Sequence, residues 1–125
     1  MISYYHKLSK DDFKKKIESQ QSLALFEFKV DWSGGSYIID LIIKKLAMDY
    51  HRHLDFYQIN VESNSELIRT YQVSKFPTIL FVKRGKIVNK IEGIASSQKL
   101  IKDIEKLIQN DPINKKRPNR NPPEI

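Results

Sequence analysis

What most limits the fold of this chain is a change of hydrophobic period between Leu23 and Tyr50. Leu23-Ala24-Leu25-Phe26-Glu27-Phe28 is a nearly continuous apolar run, the pattern of a central strand covered on both faces. Beyond it Ile38, Ile39, Ile42, Ile43, Leu46, Ala47 and Tyr50 recur at helical spacing, which predicts a strongly apolar helix over about 34–51. Between the two lies Val30-Asp31-Trp32-Ser33-Gly34-Gly35-Ser36-Tyr37, with two glycines flanked by two serines, a tight strand-to-helix turn. In a parallel or mixed sheet such turns collect at one edge, where ligands and chemistry sit.

The rest of the chain supplies the partners that this strand and helix need. Residues 1–8 read as a short edge strand. Ser9 followed by Asp12 is a capping box with Asp in place of Glu or Gln, and it opens a helix over about 10–20. That helix keeps Phe13 and Ile17 on one face and Lys14, Lys15 and Lys16 in solvent. Asp55 to Val61 is a second buried strand, and Ser63-Asn64-Ser65-Glu66 opens a short helix carrying Leu67, Ile68 and Tyr71. Thr78 to Val82 is rich in β-branched and aromatic residues, and Arg84-Gly85 turns it into the alternating hairpin partner Lys86 to Ile91. Ser96-Ser97-Gln98 caps a last helix with Leu100, Ile101, Ile104, Leu107 and Ile108 on one stripe. The order β-α-β-α-β-α-β-β-α predicts an α/β fold with helices on both faces of a mixed sheet that closes in a hairpin.

Composition narrows the function classes. The chain has 125 residues, enough for one domain with a sizeable core. Four of its five prolines fall after Asn110, among Lys115, Lys116, Arg117 and Arg120, so 1–110 reads as the domain and 111–125 as a disordered basic tail. No cysteine is present, which excludes disulfides, thiolate metal sites and cysteine catalysis. His6, His51 and His53 are too few and too scattered for a zinc site, so neither a metal nor a cofactor is expected. The net charge of +7 favours acidic partners, but basic residues without aromatic interleaving or a motif argue against nucleic acid. No apolar run reaches membrane-spanning length and no signal peptide is visible, so a cytoplasmic protein is expected.

At the turn the chain resembles the thioredoxin family, over about residues 8–110. That family places Trp-Cys-Gly-Pro-Cys where this sequence reads Trp32-Ser33-Gly34-Gly35-Ser36. Phe76-Pro77-Thr78 resembles its cis-proline loop, Lys83-Arg84-Gly85 its hairpin turn and Glu92-Gly93 its late-strand glycine. Glu27 falls where the family keeps a buried acid, and Asn60 and Glu62 match the end of its third strand. The resemblance implies the thioredoxin fold, a three-layer α/β/α arrangement around a central mixed sheet of four to five strands.

The residues at the turn permit less chemistry than their position implies. Thiol–disulfide exchange needs a thiolate and a second thiol to resolve the mixed disulfide; Ser33 and Ser36 supply neither. Ser33 as a hydrolytic nucleophile needs a base and an orienting group, and no histidine falls near the turn. Ser33 fits an N-cap, and the free N–H groups of a helix start attract anions or peptide carbonyls. Gly34 and Gly35 allow close approach of a ligand backbone. In the family the residue before the proline pairs through its backbone with an extended polypeptide, which implies that Trp32, Phe76, Pro77 and Gly93 line a peptide groove. Glu27 needs a partner inside a central strand, and Lys29 and Lys90 are the candidates.

Two functions follow as expectations. One is a binding module without redox-active cysteines, holding a polypeptide or protein partner through the Trp32–Ser36 turn and the proline loop. The other is a thioredoxin-type protein-disulfide oxidoreductase whose two cysteines have been exchanged for serine by design. Gly35 where proline is usual, and Leu41 where the family's helix-kinking proline falls, weigh toward the first.

Overall fold

The computed structural model describes residues 3–30, 34–61 and 65–110. Its elements are β1 (Tyr5–Lys7), α1 (Lys10–Ser19), β2 (Ala24–Lys29), α2 (Gly34–Tyr50), β3 (Asp55–Asn60), α3 (Ser65–Thr70), β4 (Thr78–Lys83), β5 (Lys86–Glu92) and α4 (Ser97–Gln109). This is the order read from the sequence. Glu62, Ser63, Asn64 and the tail from residue 111 lie outside the described residues.

One five-stranded sheet runs β1-β3-β2-β4-β5. β1, β3 and β2 are parallel, and β4 and β5 join antiparallel. β2 and its neighbours are buried on both sides, so the period-two alternation sorts their side chains into two cores. Leu23, Leu25, Phe56, Ile79 and Phe81 pack with Ile39, Ile43 and Leu46 of α2 and Leu100, Ile104 and Ile108 of α4. Ala24, Phe26, Phe28, Tyr57, Leu80 and Val82 pack with Phe13 and Ile17 of α1 and Leu67 of α3. The run that looked featureless in sequence is therefore two interleaved apolar faces.

Caps and turns follow the local chemistry. The Ser9 hydroxyl accepts from the Asp12 N–H at 3.2 Å and the Ser96 hydroxyl from the Lys99 N–H at 3.1 Å, each satisfying an orphan donor of its helix. Arg84 and Gly85 both take positive φ, the two-residue hairpin geometry whose twist suits the strands. Their N–H groups donate to the carbonyls of Gln21 and Gln20, fastening the hairpin to the end of α1.

Four sequence expectations are corrected. β5 alternates between exposed and half-buried residues only from Val88 to Glu92, because a bulge opposite Phe81 and Val82 shifts its register at Val88 and leaves Ile87 and Val88 both exposed. Ile101 faces solvent on α4, at the margin of the stripe that Leu100, Ile104 and Ile108 bury. Ile38 is exposed on α2, since the core takes the face that begins at Ile39. Tyr71 falls one residue beyond α3.

Candidate functional site

The sheet brings the proline loop to the end of β2. Phe28 pairs with Thr78, and Thr78 pairs with Glu92, so Pro77 and Gly93 each lie one step beyond a paired rung at the edge where β2 leads toward α2. The Phe76–Pro77 bond is cis. Gly93 N–H donates to the Pro77 carbonyl at 2.7 Å, closing the two segments on each other. Gly93 has φ +83 and nothing within 4 Å of the place where a Cβ would stand, so its outer side is open. Pro77 is buried, whereas Phe76 is half-buried against the core beneath α1 and α3.

Polar ties hold this loop from both ends. The Thr78 hydroxyl donates to the Lys75 carbonyl at 2.6 Å and the Ser74 hydroxyl to the Glu92 carboxylate at 3.1 Å. Lys90 Nζ donates to the Gln72 carbonyl at 2.6 Å. No hydrogen bond to the Phe76 backbone forms among the described residues, although its neighbours on either side are bonded. Phe76, Pro77 and Gly93 thus share one edge with the end of β2. Trp32 and Ser33 lie outside the described residues, and the backbone of Gly34, Gly35 and Ser36 forms the first turn of α2.

Glu27 stands inside the sheet behind this edge, fully buried, and its partner is neither Lys29 nor Lys90. Tyr5 of β1 reaches across β3 and donates its phenolic hydrogen to Glu27 Oε1. Lys29 is engaged by Asp40 of α2 at 3.3 Å, and Lys90 reaches the loop carbonyl and Glu92 instead. The correction has a simple cause: α2 carries a carboxylate within reach of Lys29, and β4 separates Glu27 from Lys90 on β5. Burial, aided by the Asp40 carboxylate, pushes the Glu27 carboxyl up to about 8, with the Lys29 ammonium pulling the other way. At neutral pH the group is therefore mostly protonated.

A neutral Glu27 also suits its surroundings. Its Oε2 and the Oε1 of Gln58, its register partner on β3, are both buried without a hydrogen-bond partner. Two acceptors on paired positions lack a donor, and a protonated carboxyl provides one. Tyr5, Gln58 and Asp40 were missed by sequence reasoning. No local pattern marks them, since Tyr5 lies 22 residues from Glu27 and meets it only through strand order.

The arrangement is poor in catalytic groups. His51 is stacked on Tyr4 at 3.7 Å, at the far end of α2 from the loop, and His6 lies against Tyr57. Among the described residues no cluster of His, Cys, Asp and Glu could hold a metal ion. No described helix is long and apolar enough to cross a membrane. Among the described residues the site offers a proline loop with an unbonded Phe76 backbone, an open glycine and a buried neutral acid.

These features, on a five-stranded mixed sheet between two helical layers, define a thioredoxin-fold protein. The thioredoxin family model matches residues 4–106, and the chain belongs to that family. It is similar to thioredoxin of Staphylococcus aureus, 29% identical over 100 residues that cover 80% of this chain and 94% of the relative. Among solved structures it is similar to Malassezia sympodialis thioredoxin (Mala s 13), with TM-score 0.76 and 20% identity over 86% of this chain and 93% of that one. A second similar chain comes from work on the thiol resolving mechanism in yeast mitochondrial 1-Cys peroxiredoxin via glutathione/thioredoxin systems. Its TM-score is 0.72 at 26% identity, covering 84% of this chain and 99% of that one.

Proposed function

We propose that this chain is a thioredoxin-family binding module that holds an extended polypeptide without exchanging disulfides. Ser33 and Ser36 take the positions of the family's two cysteines, and hydroxyls cannot form the mixed disulfide on which exchange depends. The observation that carries the binding half of the reading is the Phe76 backbone. Among the described residues its N–H and C=O are unbonded beside Pro77 and open Gly93, as an edge that accepts a peptide by main-chain pairing requires. Trp32, Gly34 and Gly35 complete the groove in this reading, with Trp32 as an apolar wall and the glycines admitting the ligand backbone. The partner is a protein, met in the cytoplasm.

The alternative, an oxidoreductase with both cysteines exchanged by design, is less well supported. Such an exchange leaves the rest of the motif intact, yet Gly35 replaces the family's proline. Leu41 stands where a helix-kinking proline is usual, and α2 runs unbroken from Gly34 to Tyr50.

The test uses a reduced, carboxymethylated polypeptide as an extended probe, titrated into the isotope-labelled chain. Backbone shifts centred on Phe76, Thr78 and Gly93, and weakened by Gly93→Val, are expected. Shifts confined to other surfaces, or none at millimolar probe, overturn the reading.

A further inference from the structure

The outer face of α2 departs from what a surface helix should show. Ile39, Ile43, Leu46 and Ala47 face the core, so the opposite pole belongs to water and should be polar. Instead it carries Tyr37 (67% exposed), Leu41 (50%) and Met48 (65%), with Ile38 (49%) beside them. Half of the eight exposed large hydrophobics of the described residues thus lie on one helix. Their concentration is what scattered surface apolar residues do not produce.

Tyr37, Leu41, Lys44 and Met48 succeed one another at intervals of four, three and four, the seam by which one helix packs along another. Lys44 lies within that seam, exposed, and makes no ion pair among the described residues. The flanking charges are already matched, Lys45 by Asp49 at 3.2 Å and Asp40 by Lys29. The only charge the seam leaves to a partner is therefore positive.

We infer that the outer face of α2 is a docking surface for an amphipathic helix of another protein, with an apolar stripe and an Asp or Glu placed to meet Lys44. Charge and size select this occupant. A second copy would set Lys44 against the partner copy's apolar seam with no acid to meet it, between two chains of net charge +7. From Tyr37 to Met48 the seam is roughly 16 Å long at 1.5 Å per residue. A strip of that length takes about three turns of one partner helix in a transient contact and is too small for an obligate dimer interface. The chain's own tail is basic and carries the wrong sign. An anionic membrane surface calls for several unpaired cations, and this face has one. The surface is separate from the proline loop and stands whether or not the polypeptide groove does.

The test uses the full 125-residue chain and two synthetic helical peptides with the same leucine seam, one flanked by glutamates and the other by lysines. Binding is followed by calorimetry and by amide shifts. The glutamate peptide is expected to bind, to shift residues 37–48 and to leave Phe76 and Gly93 unmoved, while the lysine peptide binds several-fold more weakly. Lys44→Glu should reverse that preference. Leu41→Asp should abolish binding with an unchanged unfolding midpoint, because the side chain is exposed. The inference is overturned if neither peptide binds, if Lys44→Glu leaves the preference unaltered, or if the shifts fall on the proline loop. It is equally overturned if sedimentation shows a dimer that Leu41→Asp dissolves, if binding requires prior removal of residues 111–125, or if Leu41→Asp abolishes pelleting with anionic vesicles.

Discussion

Tyr5 and Glu27 meet by a hydrogen bond that passes over an intervening strand. Tyr5 sits on the edge strand β1, Glu27 on the central β2, and β3 lies between them, with Gln58 opposite Glu27 in register. The family's buried acid is thus kept in a chain without cysteine, held by a phenol and standing beside a glutamine whose Oε1 lacks a partner. In this setting the protonation state of the acid links stability to pH.

The first prediction concerns that link. The folded-state carboxyl titrates near 8, whereas in the unfolded chain it titrates near its ordinary 4.5. Between those values the folded state holds a proton that the unfolded state has lost, so stability falls as pH rises. The slope from this group reaches about 1.4 kcal/mol per pH unit. Below 4.5 and above 8 the contribution is flat. Urea unfolding at a series of pH values should show this decline, and Glu27→Gln should remove most of it. A wild-type stability that rises between pH 5 and 8 with the same slope in Glu27→Gln contradicts the assignment.

Tyr5→Phe keeps the ring and removes the donor to Glu27 Oε1. Leaving that buried oxygen unsatisfied should cost about 1 to 3 kcal/mol. The cost should shrink in a Glu27→Leu background, where no acceptor remains. Equal losses in both backgrounds would show that the phenol acts only through packing.

Gly85→Ala and Gly93→Ala separate backbone strain from steric conflict. Both glycines have positive φ, so each alanine should cost about 1 to 2 kcal/mol. A Cβ at Gly85 would also stand 3.0 Å from the Glu18 carbonyl oxygen, whereas one at Gly93 meets nothing within 4 Å. Thermal unfolding should therefore rank Gly85→Ala as the more destabilised. The reverse order contradicts the packing of the hairpin on α1.

The chain should reduce no disulfides. In an insulin-reduction assay with a thiol regenerating system, turnover should equal the protein-free blank, because neither Ser33 nor Ser36 can form the mixed disulfide. Turnover above the blank, with contaminating thioredoxin excluded, refutes the redox half of the proposed function.

Removal of residues 111–125 should leave the unfolding midpoint in place. That segment holds prolines and charges without a periodic apolar face to bury. A loss above about 1 kcal/mol, large for sites away from a core, would show that it packs on the domain.

The order of elements was legible in the amino-acid sequence, because each is written in local chemistry. The apolar run of β2, the 3.6 period of α2 and α4, the serine caps and Arg84-Gly85 act over a few residues. The residues of the proline loop were legible for the same reason: Phe76-Pro77-Thr78 and Glu92-Gly93 are contiguous signals. The partner of Glu27, by contrast, was set by strand order. Lys29, two residues away on the same strand, looked suitable, yet Asp40 takes it, and Tyr5 reaches Glu27 because β1 pairs outside β3. The same holds for α2, whose isoleucines are alike in sequence until the sheet chooses the face of Ile39 and Ile43 and leaves Ile38 and Leu41 in water. Periodicity fixes which residues share a face; which face is buried depends on the packing of distant strands, and no local pattern carries that choice.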